Sequence, residues 1–148
     1  MILTLLKGKL HGATVTGADI NYEGSIGIPR DLMDKAGFLP HEQVDVLNFR
    51  NGARLTTYVL EYPAGSGEIV INGPAAHLVS KGDKVIVVAY CRMEEKKAKK
   101  YDPRVVIMGP KNTVKPHRTK EMIDPKRVAK PVVKKAKTAK PAKKGAKR

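Results

Sequence analysis

Val44-Asp45-Val46-Leu47-Asn48-Phe49-Arg50-Asn51-Gly52-Ala53-Arg54-Leu55-Thr56-Thr57-Tyr58-Val59-Leu60 is the stretch that sets the fold class. Val44 to Phe49 alternates apolar with polar, the period of a half-buried strand. Asn51-Gly52 is the strongest two-residue hairpin signal in the chain, because both residues tolerate positive φ. Arg54 to Leu60 returns as the partner strand. A β-hairpin at the centre of the chain therefore predicts a mainly β protein.

The flanks repeat the pattern. Leu3 to Leu10 reads as a strand, broken at Gly12 and followed by Ala13 to Thr16. Ser25 to Ile28 is a short extended piece. Pro29 then opens a helix with Asp31 in its first turn, Leu32, Met33 and Ala36 on its apolar face, and Gly37 placed to end it. Pro63 to Gly67 is a loop. Ile69 to Asn72, His77 to Val79 and Val85 to Tyr90 supply further strands, with Lys81-Gly82-Asp83 as a turn. Glu94 to Lys100 reads as a solvated helix or loop, and Val105 to Met108 as a last strand. Many short strands with one or two short helices suggest a small closed barrel.

Composition limits what such a barrel can be. The chain has 148 residues, enough for one domain with a core but not comfortably for two. Trp is absent and aromatics make up 5%, so the core must rest on Val, Ile and Leu. The net charge of +15 suggests a nucleic-acid binder until it is located. Lys126 to Arg148 holds 11 Lys or Arg and no acidic residue, which leaves the rest of the chain near balance at +4. Residues 1–111 are expected to form the barrel. Residues 112–148 are expected to be a basic low-complexity tail unable to bury enough surface to fold alone.

The single cysteine, Cys91, allows no intrachain disulfide, which fits a reducing compartment. It reads as a small core residue near a strand end. Met1 to Leu6 is too short for a signal-peptide core, and no apolar run approaches the ~20 residues that span a bilayer. A cytoplasmic protein without a membrane partner is expected. His11, His41, His77 and His117 are scattered, so no zinc spacing exists.

Three segments carry possible chemistry: Tyr22-Glu23-Gly24-Ser25, Asn51-Gly52 through Tyr58, and Asn72-Gly73-Pro74-Ala75-Ala76-His77. Taken singly, these read as a turn, a strand and a loop. Together with Lys9 and His11 in the opening strand, they resemble the aspartate 1-decarboxylase family, in order, from Met1 to about Met108. The resemblance implies a double-psi β-barrel, a homotetramer, and production of β-alanine for pantothenate and coenzyme A. It also implies self-cleavage between Gly24 and Ser25 into residues 1–24 and 25–148, with a maturation factor a possible partner.

Decarboxylation leaves a carbanion that needs an electron sink, for which pyridoxal phosphate is the usual answer. The resemblance implies instead a covalent pyruvoyl group derived from Ser25, with no metal and no pyridoxal phosphate. Gly24 leaves its carbonyl open to the Ser25 hydroxyl. By resemblance, Thr57 and Asn72 support processing, the Ser25-derived carbonyl takes the substrate amine as a Schiff base, and Tyr58 is the proton donor. Arg54 and Lys9 would hold the carboxylates of L-aspartate, with Thr57, Gly73, Pro74 and Ala75 completing the pocket. Pro74 departs from the family, which commonly has Ala there. Pro lacks the backbone N–H, so any contact through that donor is lost.

A second resemblance competes. Gly27-Ile28-Pro29-Arg30, the following helix, Gly37 and Gln43-Val44-Asp45-Val46 resemble swapped-hairpin transition regulators, small DNA-binding barrels. The basic tail would then contact phosphates. That alternative accounts for neither Glu23-Gly24-Ser25 nor Arg54 with Thr57-Tyr58. It also predicts a shorter chain. In the decarboxylase reading, the tail is a solubilising extension or a weak attachment to a polyanion.

Overall fold

A computed structural model describes residues 1–116. Its strands are β1 (Ile2–Thr14), β2 (Gly17–Asp19), β3 (Ser25–Pro29), β4 (Gln43–Asn48), β5 (Arg54–Tyr62), β6 (Val70–Asn72), β7 (Lys84–Glu94) and β8 (Arg104–Ile107). Two short helices, α1 (Arg30–Ala36) and α2 (Glu95–Ala98), complete the regular elements apart from two 3-10 turns. The protein is mainly β.

The strands pair in the order β2-β6-β3-β5-β4-β7-β1-β8. The β4–β5 hairpin forms, with Val46 opposite Leu55 and Leu47 opposite Arg54, but the Asn48 N–H donates to the Ala53 carbonyl, so it closes through a four-residue loop, 49–52, rather than the two-residue turn expected at Asn51-Gly52. Gly52 supplies the turn with φ +69°, and its N–H donates to the Asn48 carbonyl at 2.9 Å. Three pairs are parallel, β1 with β8, β2 with β6 and β3 with β5, while the others are antiparallel. Parallel neighbours cannot be joined by tight hairpins. The chain therefore crosses over itself, as the psi-type connections of the expected barrel require.

The core is aliphatic. Leu10, Ile26, Ile28, Val44, Val46, Val59, Ile69, Ile71, Val85 and Val87 are all at most 1% exposed. Each contributes roughly 1.5–3 kcal/mol by leaving water. Helix α1 buries Leu32, Met33 and Ala36 as its spacing predicts, and Gly37 ends it in the left-handed conformation at φ +74°.

Four local expectations need correction. Gly12 does not break the first strand; with φ +80° it accommodates a register shift between His11 and Ala13, and β1 runs on to Thr14. His77 to Val79 is not a strand. Gly73 turns the backbone to φ +71°, Pro74 starts a 3-10 turn over Gly73–His77, and the N–H groups of Leu78 and Val79 donate to the Ala75 carbonyl. Cys91 lies near the end of β7 but is only partly buried, because that end of the strand alternates between exposed and half-buried positions. The three-residue β2 was not anticipated, being too short to show a period. Backbone hydrogen bonding continues past Lys111, with the Lys115 N–H donating to the Ile107 carbonyl at 2.9 Å. The basic stretch from Lys126 lies outside the described residues.

Candidate active site

The Gly24–Ser25 bond sits where the chain passes from solvent into the core. Tyr22 and Glu23 are exposed, Gly24 is half-buried, and Ser25 is fully buried as the first residue of β3. Two strand registers decide what surrounds it. Ser25 is the direct antiparallel partner of Asn72 on β6. Ile26 is the parallel partner of Val59 on β5, which sets Tyr58 level with Ser25.

Side chains tighten this arrangement. The Asn72 amide Nδ2 donates to Ser25 Oγ at 2.9 Å, a fully buried hydrogen bond. Ser25 Oγ donates to the Glu23 carbonyl at 3.2 Å. Asn72 is 2% exposed, so its amide is an oriented donor with little competition from water.

Gly73 explains how the cleavage loop fits. A Cβ there would stand 2.7 Å from Gly24 Cα, 2.8 Å from Gly24 N and 2.9 Å from the Tyr22 carbonyl oxygen. Combined with its positive φ, this contact admits glycine alone without displacement. Pro74 packs beyond it; a Cβ on Gly24 would meet Pro74 Cδ at an ordinary 3.7 Å. Pro74 is at the start of a 3-10 turn, where a backbone N–H has no partner within the turn, so the missing donor leaves no hole in its hydrogen bonding.

A cleft of about 420 Å³ opens over this bond. Gly24 and Asn72 form its inner end, Leu55 to Tyr58 of β5 one wall, and Pro74, Ala75 and Leu78 the other. Six of the sequence-derived site residues, Gly24, Thr57, Tyr58, Asn72, Pro74 and Ala75, thus share one cavity, with Ser25 and Gly73 directly against it. Tyr58 stacks loosely on His41, with ring centroids 6.4 Å apart.

Arg54 and Lys9 are not part of that lining. Arg54 begins β5, exposed and one residue from Leu55. Lys9 is on β1, reached from Thr56 through Asp45 and Val88. Those three ladder steps amount to about 14 Å at the usual strand spacing. His11, also on β1, places its ring edge-on to Phe49 at 5.6 Å. Leu55, Thr56 and Leu78 also line the cleft. Leu55 and Thr56 fall within the Asn51-to-Tyr58 segment but were given no role of their own, and Leu78 lies in an irregular segment where an aliphatic residue usually signals packing. Among the described residues no cluster of three or more His, Cys, Asp or Glu could hold a metal. No helix in this part of the chain is long and apolar enough to cross a membrane.

The arrangement provides a buried hydroxyl next to a glycine carbonyl, an oriented amide and a phenol over one small cleft. Such a set can support acyl transfer within the backbone and proton delivery to a small bound molecule.

Comparison with known proteins gives one consistent family. The profile of the aspartate decarboxylase family matches residues 1–115. The aspartate 1-decarboxylase of Caulobacter vibrioides is 59% identical over 115 residues, covering 78% of this chain and 98% of that protein. That of Carboxydothermus hydrogenoformans is 52% identical over 122 residues, covering 82% and 96%. That of Bacillus subtilis is 47% identical over 114 residues, covering 77% and 90%.

Proposed function

Since the chain belongs to the aspartate decarboxylase family, we propose that it decarboxylates L-aspartate to β-alanine and CO2 with a pyruvoyl group made from Ser25, supplying pantothenate and coenzyme A synthesis in the cytoplasm. The observation that carries the reading is the buried Asn72–Ser25 hydrogen bond behind a glycine carbonyl at the inner end of the cleft.

Processing needs a nucleophile held against its own backbone. Ser25 Oγ is oriented by Asn72 from one side, and its proton is directed at the Glu23 carbonyl. Attack of Oγ on the Gly24 carbonyl carbon converts the amide to an ester and releases the Ser25 nitrogen. Thr57, on the facing wall, is the hydroxyl assigned to the oxyanion that forms on Gly24, as in other acyl transfers. β-Elimination then frees residues 1–24 with a Gly24 carboxylate and leaves dehydroalanine at position 25, whose imine form takes up water and loses the Ser25 nitrogen as ammonia to give the carbonyl at the start of the new chain.

The surroundings fit a pyruvoyl group at that position. The site is fully buried among Ile26 and Ile71, and the Asn72 amide remains as a hydrogen-bond donor. When present, the group supplies an electrophilic carbonyl that accepts the electrons released with CO2. The protein's own residues do the rest. Tyr58, level with Ser25, delivers a proton to the substrate α-carbon. Ala75 and the carbonyl of Gly73 border the bound substrate, and Pro74 closes the wall above Gly24. Arg54, at the outer end of β5, takes a substrate carboxylate through its planar fork. Lys9 lies beyond the cleft within one chain, so its share in carboxylate binding depends on a neighbouring copy in a homotetramer.

The test is a Ser25→Ala variant beside the parent. The parent should run as two pieces on a denaturing gel and form β-alanine. The variant should remain whole and form none. A parent that stays whole and inactive, even with cell extract supplied as a source of a maturation factor, contradicts the proposal.

A further inference from the structure

The outer end of the cleft is held by a buried side-chain cluster with no part in the chemistry above. Asn48, the last residue of β4, is 3% exposed. Its Oδ1 accepts from the Arg50 N–H at 2.9 Å. Its Nδ2 donates to the Leu78 carbonyl at 3.1 Å and to Asp83 Oδ2 at 2.7 Å. Asp83, 7% exposed, also accepts from the Ser80 N–H at 2.9 Å. The Arg50 guanidinium donates to both of its oxygens, Nε to Oδ1 at 2.7 Å and Nη2 to Oδ2 at 3.1 Å. The Leu78 carbonyl takes a second amide, from Asn51 Nδ2 at 2.9 Å.

These bonds link the two walls. Asn48, Arg50 and Asn51 form the hairpin tip that leads directly into Arg54 and Leu55 of β5. Leu78, Ser80 and Asp83 follow the 3-10 turn that carries Pro74 and Ala75. In the sheet, β5 has only β3 and β4 as neighbours. The nearest ladder, β4–β7, sets Asn48 opposite Val85 and continues only to the Phe49 N–H on the Lys84 carbonyl, so Leu78, in the irregular segment before it, is held to the hairpin tip by side chains. The inner end is different, because Ser25, Asn72 and Tyr58 are placed by β3, β5 and β6. A nearly buried carboxylate is retained only where donors saturate it. The bidentate Arg50 contact, with the Ser80 N–H, holds the Asp83 carboxyl well below the usual carboxylate range.

We propose that Asn48 and Asp83 are positioning residues that fix the width of the cleft at its substrate-carboxylate end, by tying Leu78 to the hairpin tip that presents Arg54. The assignment rests on the reading of this cleft as the aspartate site. It predicts a division of labour: losing the cluster weakens aspartate binding while leaving cleavage and the chemical step at the inner end in place.

The experiment compares full-length parent, Asp83→Asn, Asp83→Glu and Asn51→Ala. Steady-state kcat and KM for L-aspartate are measured with the cleaved fraction by intact mass, below each variant's melting temperature. Asp83→Asn should raise KM about tenfold, with kcat per cleaved chain within about threefold of the parent. Asp83→Glu, which restores the charge, should recover part of that loss, a response that simple loosening of the fold would not give. Asn51→Ala, at an exposed position, removes the bond to the Leu78 carbonyl together with one loop contact to the Ala53 N–H; it should raise KM about threefold and decides the matter if Asp83→Asn does not fold. An active parent with KM unchanged in the folded variants, or with kcat falling at constant KM, overturns the positioning role alone. An inactive, uncleaved parent overturns the aspartate reading with it.

Discussion

The two ends of the cleft are built by different means. At the inner end, backbone register does the placing: Ser25 faces Asn72 across β3–β6, and Ile26 faces Val59 across β3–β5. At the outer end, side-chain amides and one carboxylate join a hairpin tip to an irregular segment. A strand register cannot shift by a fraction of a residue, so the inner geometry is either right or wrong. A hydrogen-bonded cluster yields gradually. Substitutions at the inner end should therefore act on maturation and kcat in large steps, and those at the outer end on KM in small ones.

The steepest response is expected at Gly73. In Gly73→Ala, the new methyl meets the Gly24 backbone at 2.7–2.8 Å in a conformation that L residues disfavour. The cleavage loop must move, and the cleaved fraction read by mass spectrometry should fall to about a tenth or less of the parent's. Normal cleavage in that variant would remove the contrast, since it would show the inner end to be compliant.

Tyr58→Phe comes next. It keeps the strand and the packing but removes the phenol proton, so kcat should drop by about 10²–10³ while cleavage proceeds. A loss of cleavage instead would place Tyr58 in processing rather than in turnover.

The outer cluster has a smaller effect, readable as pH-dependent stability. Asp83 titrates well below an ordinary carboxylate in the folded protein, chiefly through Arg50. Its stabilisation is therefore complete above the unfolded-state pKa of about 3.9 and is lost as pH falls below it. Asp83→Asn should melt about 5 °C below the parent at pH 7. That gap should narrow as pH falls from about 5 towards 2. A gap independent of pH would mean that the charge contributes nothing.

The smallest effect is expected furthest from the cleft. A chain ending at Pro125 should keep kcat and KM within about twofold of the full chain. A large loss of kcat would tie the basic stretch to the site.

Much of this architecture was legible in the residues. Asn51-Gly52 between alternating runs identified the central hairpin, and Pro29 with Gly37 bracketed α1. Local chemistry sufficed there because each signal lies within a few residues of what it specifies. Gly24-Ser25, Thr57-Tyr58 and Asn72-Gly73 differ: singly they read as a turn, a strand and a loop, and only their resemblance in order to the aspartate decarboxylase family joined them into one site.

The misreadings have a common cause. His77 to Val79 looks apolar enough for a strand, yet Gly73 and Pro74 commit the chain to a 3-10 turn. Gly12 looks like a break, yet a long partner strand, β7, carries β1 past it. Asn48 and Asp83 look like a strand end and a turn residue. Their meeting across 35 residues depends on the pairing of β4 with β7, which no local period encodes. The carboxylate-binding roles of Lys9 and Arg54 are a different case: they came from the family resemblance, and within a single chain neither residue lines the cleft.

The most direct measurement is intact mass analysis of the purified full-length protein with and without a hydrazide probe. If Ser25 becomes the electron-accepting carbonyl, the chain will appear as residues 1–24 and 25–148, and the larger piece alone will gain the probe. A single uncleaved mass, or a fragment starting at position 25 with a free amine and no probe, would contradict it.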